Sequence, residues 1–329
     1  MGVRVIFIGG LGRSGTTLLE RLLGEVPGVA PLGEVVHLWE RGVIGREPCG
    51  CGESFTACAF WRTVGRRAFG GWSPGLADRV LTLRRRVDRT RRIPGLAARR
   101  RHPGLSGYTR AYSRVYEAAA QVSARPVVVD SSKHASLAFC LRTSPVVDLS
   151  VVHVVRDPRA VAHSWRRYVP RPEDGAPMTR WRPWRTAVHW VVENLAFELL
   201  ALRNGAVVRV RYEDLLADPP AVLVPLLVHL GLPAGPRGGL SVFGAGSGVA
   251  ELSVAHTCSG NPMRFTAGPL ELRRDDTWCD RLPRHHRWLV TALTWPLMIR
   301  YGYRPGDPRS PGAVTPPWAP PGVPASGCR

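Results

Sequence analysis

The chain has 329 residues, of which 44% are hydrophobic, and this length and composition are sufficient for one large buried core. Its formal net charge is +20, an excess that favours an acidic ligand, whether a phosphorylated cofactor, a nucleic acid or an anionic acceptor. Because no segment approaches about eighteen uninterrupted apolar residues and no signal peptide is recognisable, we expect a cytoplasmic protein without a membrane span.

An apolar run, a glycine-rich loop and a helical pattern follow one another at the beginning of the chain. Residues 3–8 predict a strand, residues 9–17 a loop, and residues 18–23 have helical spacing. Glycines let successive N–H groups turn inward, and the helix that follows adds the positive end of its dipole. We therefore predict an anion-binding loop, the alternative being a strand-to-helix turn that serves packing alone.

The loop has the spacing of the phosphate-binding motif G-x-x-x-x-G-K-[ST], except that Thr16 occupies the lysine position. The missing lysine argues against an ordinary nucleoside triphosphatase. Arg13 supplies a cation from within the loop instead, and Ser14, Thr16 and Thr17 supply hydroxyl donors.

A carboxylate follows soon after this loop. Glu34 stands at a turn-rich entry into a short apolar segment, where a neighbouring anion would normally repel it. Its presence there indicates acid/base work, whereas the alternative is an ordinary carboxylate at a helix N-terminus. The spacing alone does not decide between the two.

Three of the seven cysteines cluster at Cys49, Cys51 and Cys58. In a cytosolic protein, a metal site or free thiols are expected rather than disulfides. Structural zinc takes four ligands, but the nearest histidine, His37, lies twelve residues before Cys49. The cluster therefore has no recognisable fourth ligand, and we assign it no role and predict no metal site.

Residues 61–124 are expected to form a basic helical insertion. Residues 76–92 and 108–122 read as helices, and the first of them carries seven arginines. The insertion is either a cap that binds an acceptor or a solvated basic face that reflects the arginine bias of the chain. Aromatic and basic residues do not alternate there, so nucleic acid is not an expected partner.

Two further strands end in charged residues. Residues 126–130 lead to Lys133, the single lysine among 45 basic residues, and residues 151–155 lead to Arg156 and a helix that carries Ser164. The carboxyl ends of parallel strands border the ligand crevice of an open α/β sheet, so we expect Lys133 and Arg156 near the loop. The alternative for Arg156 is a local salt bridge with Asp157 at a helix cap.

The remaining pattern completes an α/β fold. A long helix (184–203), a fourth strand (206–215) and another helix (220–231) predict a P-loop-containing three-layer α/β/α domain with a central parallel sheet and a helical insertion. We expect one domain over residues 1–303, closed by a helix at 283–301, and a disordered Pro/Gly-rich tail at 304–329. Residues 241–280 predict a long loop in which Asn261 and Arg264 form a flexible cationic clamp.

The motifs together resemble the sulfotransferases that use 3′-phosphoadenosine 5′-phosphosulfate (PAPS), especially bacterial members and the carbohydrate and tyrosylprotein branch. The loop from Gly12 to Thr17 is similar to the family's 5′-phosphosulfate loop, and Arg156 with Ser164 is similar to its 3′-phosphate motif. The resemblance covers residues 1–40 and 126–278 and leaves the insertion and the tail outside.

The resemblance implies a role for each matching residue. Lys133 and Arg13 would stabilise the leaving oxygen, and Glu34 would be the catalytic base, with His37 as the second candidate. PAPS is the implied cofactor, and no metal is required. The implied cofactor-binding residues are Gly12, Arg13, Ser14, Gly15, Thr16, Thr17, Arg156, Ser164, Tyr212, Asn261 and Arg264.

The function implied is sulfuryl transfer to a hydroxyl of a small molecule, a lipid or a carbohydrate by in-line displacement. A kinase-like P-loop phosphotransferase that uses ATP is the alternative, opposed by the missing loop lysine and the second phosphate site. A binding protein without catalytic activity is a third reading. The identity of the acceptor and the oligomeric state, with a homodimer as one option, stay open.

Overall fold

The computed structural model describes residues 2–100, 102–171, 175–204, 207–234 and 248–305. Within these ranges the strands are β1 (Val3–Gly9), β2 (Val29–Pro31), β3 (Val127–Lys133), β4 (Val147–Val155), β5 (Val207–Arg211), β6 (Val249–Leu252) and β7 (Gly268–Glu271). The helices are α1 (Thr16–Gly24), α2 (Ala59–Phe69), α3 (Pro74–Val87), α4 (Ile93–Ala97), α5 (Leu105–Ser123), α6 (Ala135–Leu141), α7 (Pro158–Arg166), α8 (Pro183–Asn204), α9 (Tyr212–Ala217), α10 (Pro219–His229), α11 (Trp278–Arg281) and α12 (Arg284–Arg300).

The central sheet has five strands in the order β2-β3-β1-β4-β5. Every neighbouring pair in it is parallel. Strand β1 lies in the middle, where Val5 pairs with Val128 of β3 on one side and with Leu149 of β4 on the other. The predicted α/β fold with a central parallel sheet is therefore confirmed.

Successive side chains of β1 point to opposite faces of the sheet, and both faces are covered. Val5 and Phe7 belong to a core that includes residues of α5, α6 and α8. Ile6 and Ile8 belong to a second core with residues of α1 and α10. The near-continuous apolar run of β1 is thus the pattern of a strand buried on both sides, and it fixes the three-layer arrangement.

The carboxyl ends of the strands meet at one edge of the sheet. Gly9 at the end of β1 pairs with Lys133 on β3 and with His153 on β4. At this edge the glycine loop follows β1, Arg156 follows β4 and Tyr212 follows β5, while Lys133 is the last residue of β3. This is where ligands bind in open α/β sheets, and it is the neighbourhood expected for Lys133 and Arg156.

The prediction of one long loop over residues 241–280 was wrong for the described part of it. Strands β6 and β7 pair antiparallel, and a 3₁₀ turn (Pro262–Phe265) lies between them. Ala250 and Leu252 of β6 are buried, so a period-two apolar pattern gives this segment its structure. Residues 235–247 and the predicted disordered tail from 306 onward lie outside the described residues.

Helices α2 to α5 occupy the segment predicted as a basic helical insertion. Its buried side chains, such as Tyr112 and Tyr116 of α5, belong to the same core as Val5 and Phe7 of β1. Among the described helices, none is both long enough and apolar enough to cross a membrane.

Candidate active site

The glycine loop between β1 and α1 has the backbone conformation that its sequence predicts. Gly10 and Gly15 have φ angles of 134° and 95°, and Arg13 also has a positive φ of 75°. A Cβ at Gly15 would lie 2.2 Å from the ring of Tyr212, so only glycine fits there. Helix α1 begins at Thr16, and the first N–H groups of a helix have no partner within it. The loop can therefore present backbone donors to an anion.

Arg156 reaches this loop from the end of β4. Its Nη1 donates to the carbonyl oxygen of Arg13 at 3.1 Å, and its guanidinium lies 4.4 Å from the ring centroid of Tyr212. Asp157 instead caps α7 and pairs with Arg159, whose Nη2 lies 2.7 Å from Asp157 Oδ2. Asp157 therefore forms its salt bridge with Arg159 and not with Arg156, whose guanidinium contacts the glycine loop instead.

Helix α7 brings Ser164 and Trp165 to the same side of the molecule. The indole Nε1 of Trp165 donates to the carbonyl oxygen of Gly12 at 2.9 Å, and the Arg13 guanidinium lies 5.7 Å from the Trp165 ring. Ser164 precedes Trp165 on this helix and is half-buried. Its predicted contact with a phosphate stays a prediction.

Glu34, Lys133 and His37 form a charged cluster beside the loop. Lys133 Nζ donates to Glu34 Oε1, and Glu34 Oε2 lies 3.6 Å from His37 Nε2. Burial opposes ionisation of the Glu34 carboxyl, but the Lys133 ammonium outweighs it, and the pKa of Glu34 is lowered to about 2. Burial lowers the pKa of His37 to about 3, so at neutral pH the carboxylate is charged and the imidazole neutral.

The loop and this cluster are connected. The N–H of Gly10 donates to the carbonyl oxygen of Lys133 at 3.1 Å, and Lys133 itself has a positive φ of 71°. Burial lowers the pKa of Arg13, and the negative charge of Glu34 acts against that shift. Arg13, Glu34 and Lys133 therefore share one electrostatic environment at the carboxyl edge of the sheet.

Buried acids that sequence reasoning missed hold the backbone around Glu34. Glu20 of α1 accepts from the N–H of Gly33 at 2.5 Å and from the hydroxyl of Ser131 at 2.6 Å. Burial raises the pKa of Glu20 to about 7. The sequence did contain a signal for Glu20, because a glutamate in a leucine-rich helix needs a hydrogen-bond partner once that helix is buried.

Residues at the end of β3 complete this support. Asp130 accepts from the N–H of Val35 at 3.3 Å, and the hydroxyl of Ser132 accepts from the N–H of Val36 at 2.9 Å. The hydroxyl of Tyr116 donates to Asp130 at 2.6 Å. The position of Glu34 is thus fixed by the strand that also carries Lys133.

Asn261 and Arg264, which were predicted to form a flexible clamp, make hydrogen bonds to the backbone of the protein itself. Asn261 Oδ1 accepts from the N–H of Met263 at 3.0 Å and caps the 3₁₀ turn. Arg264 is 1% exposed, and its Nη2 donates to the carbonyl oxygen of Pro48 at 3.1 Å. Arg264 is therefore buried and Asn261 half-buried, and both side chains form hydrogen bonds to the chain itself; cofactor binding by these two residues stays a prediction.

Several solved structures are similar to this chain at low identity. The sulfotransferase domain of the Synechococcus PCC 7002 olefin synthase is 20% identical, with 89% of this chain and 94% of that chain covered and a TM-score of 0.46. The sulfotransferase domain from the curacin biosynthetic pathway is 14% identical, covering 92% and 98%, with a TM-score of 0.48. The sulfotransferase STF1 of Mycobacterium tuberculosis H37Rv is 18% identical, covering 72% and 70%, with a TM-score of 0.39. No residue role rests on these likenesses.

No curated protein matches the sequence significantly. A sequence profile described as "Sulfotransferase family" matches residues 5–46 and 75–236, which is more than half of the chain. The match includes the glycine loop, Glu34, Lys133 and Arg156, and it extends into helices α3 to α5, which the resemblance had left outside. The chain belongs to the sulfotransferase family.

Proposed function

We propose that the protein transfers the sulfuryl group of PAPS to a hydroxyl of a small-molecule, lipid or carbohydrate acceptor. The observation that carries this proposal is the convergence of Arg13, Lys133 and Arg156, which stand on three different segments, at one edge of the sheet beside a glycine loop. Three cations and a helix N-terminus suit a ligand with more than one anionic group.

The donor set fits the two ends of PAPS. The loop of Gly12, Arg13, Ser14, Gly15, Thr16 and Thr17 would hold the 5′-phosphosulfate. Arg156 would hold the 3′-phosphate, together with Ser164 on α7, and its guanidinium is already oriented by the Tyr212 ring. Planar guanidinium groups bind phosphate oxygens through two parallel hydrogen bonds, which gives Arg156 the geometry for this role.

When bound, PAPS supplies a sulfuryl group attached to a phosphate leaving group. In the proposed transfer, the acceptor oxygen would form the new S–O bond as the bond from sulfur to the 5′-phosphate oxygen breaks, and that leaving oxygen would keep the electron pair. Lys133 and Arg13 would stabilise this growing negative charge, which lowers the barrier more than it strengthens ground-state binding. The acceptor proton passes to Glu34. As the resemblance implies, the proposed mechanism includes no metal ion at the reacting centre.

The Glu34–Lys133 ion pair sets a condition on this mechanism. A carboxylate with a pKa of about 2 is a weak base, because the ammonium stabilises its charged form. If Lys133 turns to the leaving oxygen, it withdraws from Glu34, whose pKa then rises toward that of a buried carboxyl. One movement of Lys133 would therefore stabilise the leaving oxygen and make Glu34 a stronger base.

His37 is the second candidate for the base. Its imidazole is neutral at neutral pH and Nε2 lies beside Glu34, but a pKa of about 3 makes it a weak base in the resting protein, as Glu34 is. Helix α3 approaches the same residues, because Arg84 Nη1 donates to the carbonyl oxygen of Val36 at 3.2 Å. This contact supports an acceptor cap in the basic segment. A cytoplasmic location, a homodimer and membership of the carbohydrate and tyrosylprotein branch stay predictions.

Calorimetric titration with adenosine 3′,5′-bisphosphate and, separately, with ATP and Mg²⁺ tests the donor. We expect tighter binding of the bisphosphate, and a preference for ATP would overturn the proposal in favour of a phosphotransferase. Incubation with labelled PAPS and a metabolite extract, followed by identification of the labelled product, tests the acceptor class. A product labelled on nitrogen would contradict hydroxyl transfer.

A further inference from the structure

Three cysteines and one histidine converge on one point outside the candidate active site. The Sγ atoms of Cys49, Cys51 and Cys58 and a ring nitrogen of His256 all lie within 4.8 Å of one another. Cys51 Sγ lies 3.7 Å from Cys58 Sγ, and His256 Nδ1 lies 3.3 Å from Cys58 Sγ and 3.8 Å from Cys49 Sγ. The fourth ligand that the sequence did not reveal is therefore supplied by a residue 198 positions after Cys58.

The three individual separations of 3.3, 3.7 and 3.8 Å are close to the edges of a zinc tetrahedron. Zn–S bonds of about 2.3 Å place two sulfur ligands about 3.8 Å apart, and Zn–N bonds of about 2.0 Å give slightly shorter S···N edges. The separation of 3.7 Å between Cys51 and Cys58 is close to the first value. All three thiols are free rather than joined in a disulfide.

Local hydrogen bonds hold the four ligands in this arrangement. The N–H of Cys49 donates to the carbonyl oxygen of Glu53 at 2.7 Å, and the N–H of Gly52 donates to the carbonyl oxygen of Cys49 at 2.8 Å, which makes a tight turn at the cysteines. The His256 ring stacks on Phe60 with centroids 5.1 Å apart and an interplanar angle of 14°. The stacking fixes the plane of the ring from which Nδ1 approaches the sulfur atoms.

We propose that Cys49, Cys51, Cys58 and His256 bind one Zn²⁺ ion. Three thiolates and one imidazole form a complete ligand set for a structural zinc site, in which no position is open for substrate. Binding requires deprotonated thiols and releases their protons to solvent, so no oxidant or reductant takes part. This site is independent of the proposed sulfuryl transfer.

The ion would join two distant parts of the chain behind Glu34. The N–H of Gly50 donates to the carbonyl oxygen of Thr257 at 2.9 Å, so the cysteine loop lies directly on the segment of His256. The carbonyl oxygen of the next residue, Cys258, accepts from the N–H of Glu34 at 3.0 Å. Zinc would therefore fasten the segment that supports the backbone of Glu34.

Metal analysis of the full-length protein, purified without chelators and dialysed against metal-free buffer, tests the site. We expect one equivalent of zinc per chain, measured by inductively coupled plasma mass spectrometry. Cys58→Ser should lower this to near zero, whereas Cys140→Ser and Cys279→Ser, which change other buried cysteines, should retain it. The proposal would be overturned by any of three results. These are less than about a tenth of an equivalent of zinc after Zn²⁺ has been added and the excess dialysed away, iron bound in place of zinc, or an unchanged zinc content in Cys58→Ser.

Loss of zinc from Cys58→Ser could also result from misfolding, so cobalt substitution in the wild type and in His256→Ala provides a second test. Co²⁺ in the wild type should give the visible absorption of tetrahedral thiolate ligation, and His256→Ala, at an exposed position, should weaken and shift that spectrum while the far-ultraviolet circular dichroism stays unchanged. An identical cobalt spectrum in His256→Ala, or a Cys51–Cys58 disulfide in the freshly purified protein, would exclude this ligand set. None of these readouts depends on transfer activity.

Discussion

The ammonium of Lys133 donates to the carboxylate of Glu34 across 99 positions of sequence, and this pair joins the end of β3 to the segment after β2. Both residues are largely buried, so the charges compensate each other in a site that water barely reaches. In the proposed mechanism, this pair belongs to the resting protein and opens during turnover.

Replacing Lys133 by Ala should mainly slow the chemical step. Because the ammonium is expected at the leaving oxygen, kcat should fall by about 10²–10³-fold, as for the loss of one oxyanion donor. Steady-state kinetics with PAPS measures this. Arg79→Ala, which removes an exposed charge from α3, is the matched control and should change kcat little. An equal loss in both variants would show that general electrostatic attraction, and not Lys133, is responsible.

Two variants distinguish the candidate bases. Glu34→Gln keeps the shape of the side chain and removes its charge, and it should lower kcat by about 10²–10⁴-fold. His37→Ala should retain most of the activity if Glu34 accepts the proton. Near-normal turnover by Glu34→Gln together with loss of turnover in His37→Ala would assign the base to His37 instead.

Arg156→Ala should weaken binding of adenosine 3′,5′-bisphosphate by about 10- to 100-fold, the range for a lost charged hydrogen bond. Binding of adenosine 5′-phosphate, which lacks the 3′-phosphate, should change much less. Calorimetry of both ligands provides the comparison within one variant. If both affinities fall equally, Arg156 acts by supporting the loop through the Arg13 carbonyl rather than by holding the 3′-phosphate.

Gly15→Ala should abolish binding of the bisphosphate. The new Cβ would lie 2.2 Å from the Tyr212 ring, so either the loop or the ring must move. Gly70→Ala is the control, because Gly70 has a similar positive φ of 77° but no neighbouring atom within 4 Å of the methyl carbon that alanine would add. Thermal shifts with and without ligand separate the steric effect from backbone strain. Equal behaviour of the two variants would refute the role of the Gly15–Tyr212 contact.

Glu20 makes stability depend on pH. Its pKa is raised by burial from 4.5 to about 7 in the folded protein, so the folded state binds this proton more tightly than the unfolded state does. The contribution of Glu20 to the free energy of unfolding is fully present below pH 4.5 and is lost as pH rises through about 7. Glu20→Gln should flatten the decline of unfolding free energy over this window, as measured by denaturant titration at several pH values. A decline as steep as that of the wild type would contradict the assignment.

The sequence was sufficient where a local pattern or a general rule of sheet topology determines the position of a residue. The spacing of its glycines identifies the loop, and the positions of Lys133 and Arg156 were predicted because parallel strands bring their carboxyl ends to one edge of the sheet. Its position in the leucine-rich helix α1 marks Glu20 as needing a partner, but which partner it finds, Gly33, depends on how α1 packs. His256 was missed for the same reason, since its partner Cys58 lies 198 positions earlier in the chain.

The support of Glu34 by Cys258 also orders events during synthesis. All five strands of the central sheet precede the segment of Cys258 in the chain and are therefore synthesised before it. The carbonyl that fixes the Glu34 backbone is added only with Cys258. A chain that ends before Cys258 would therefore contain every strand of the sheet and the glycine loop but would lack this support of Glu34.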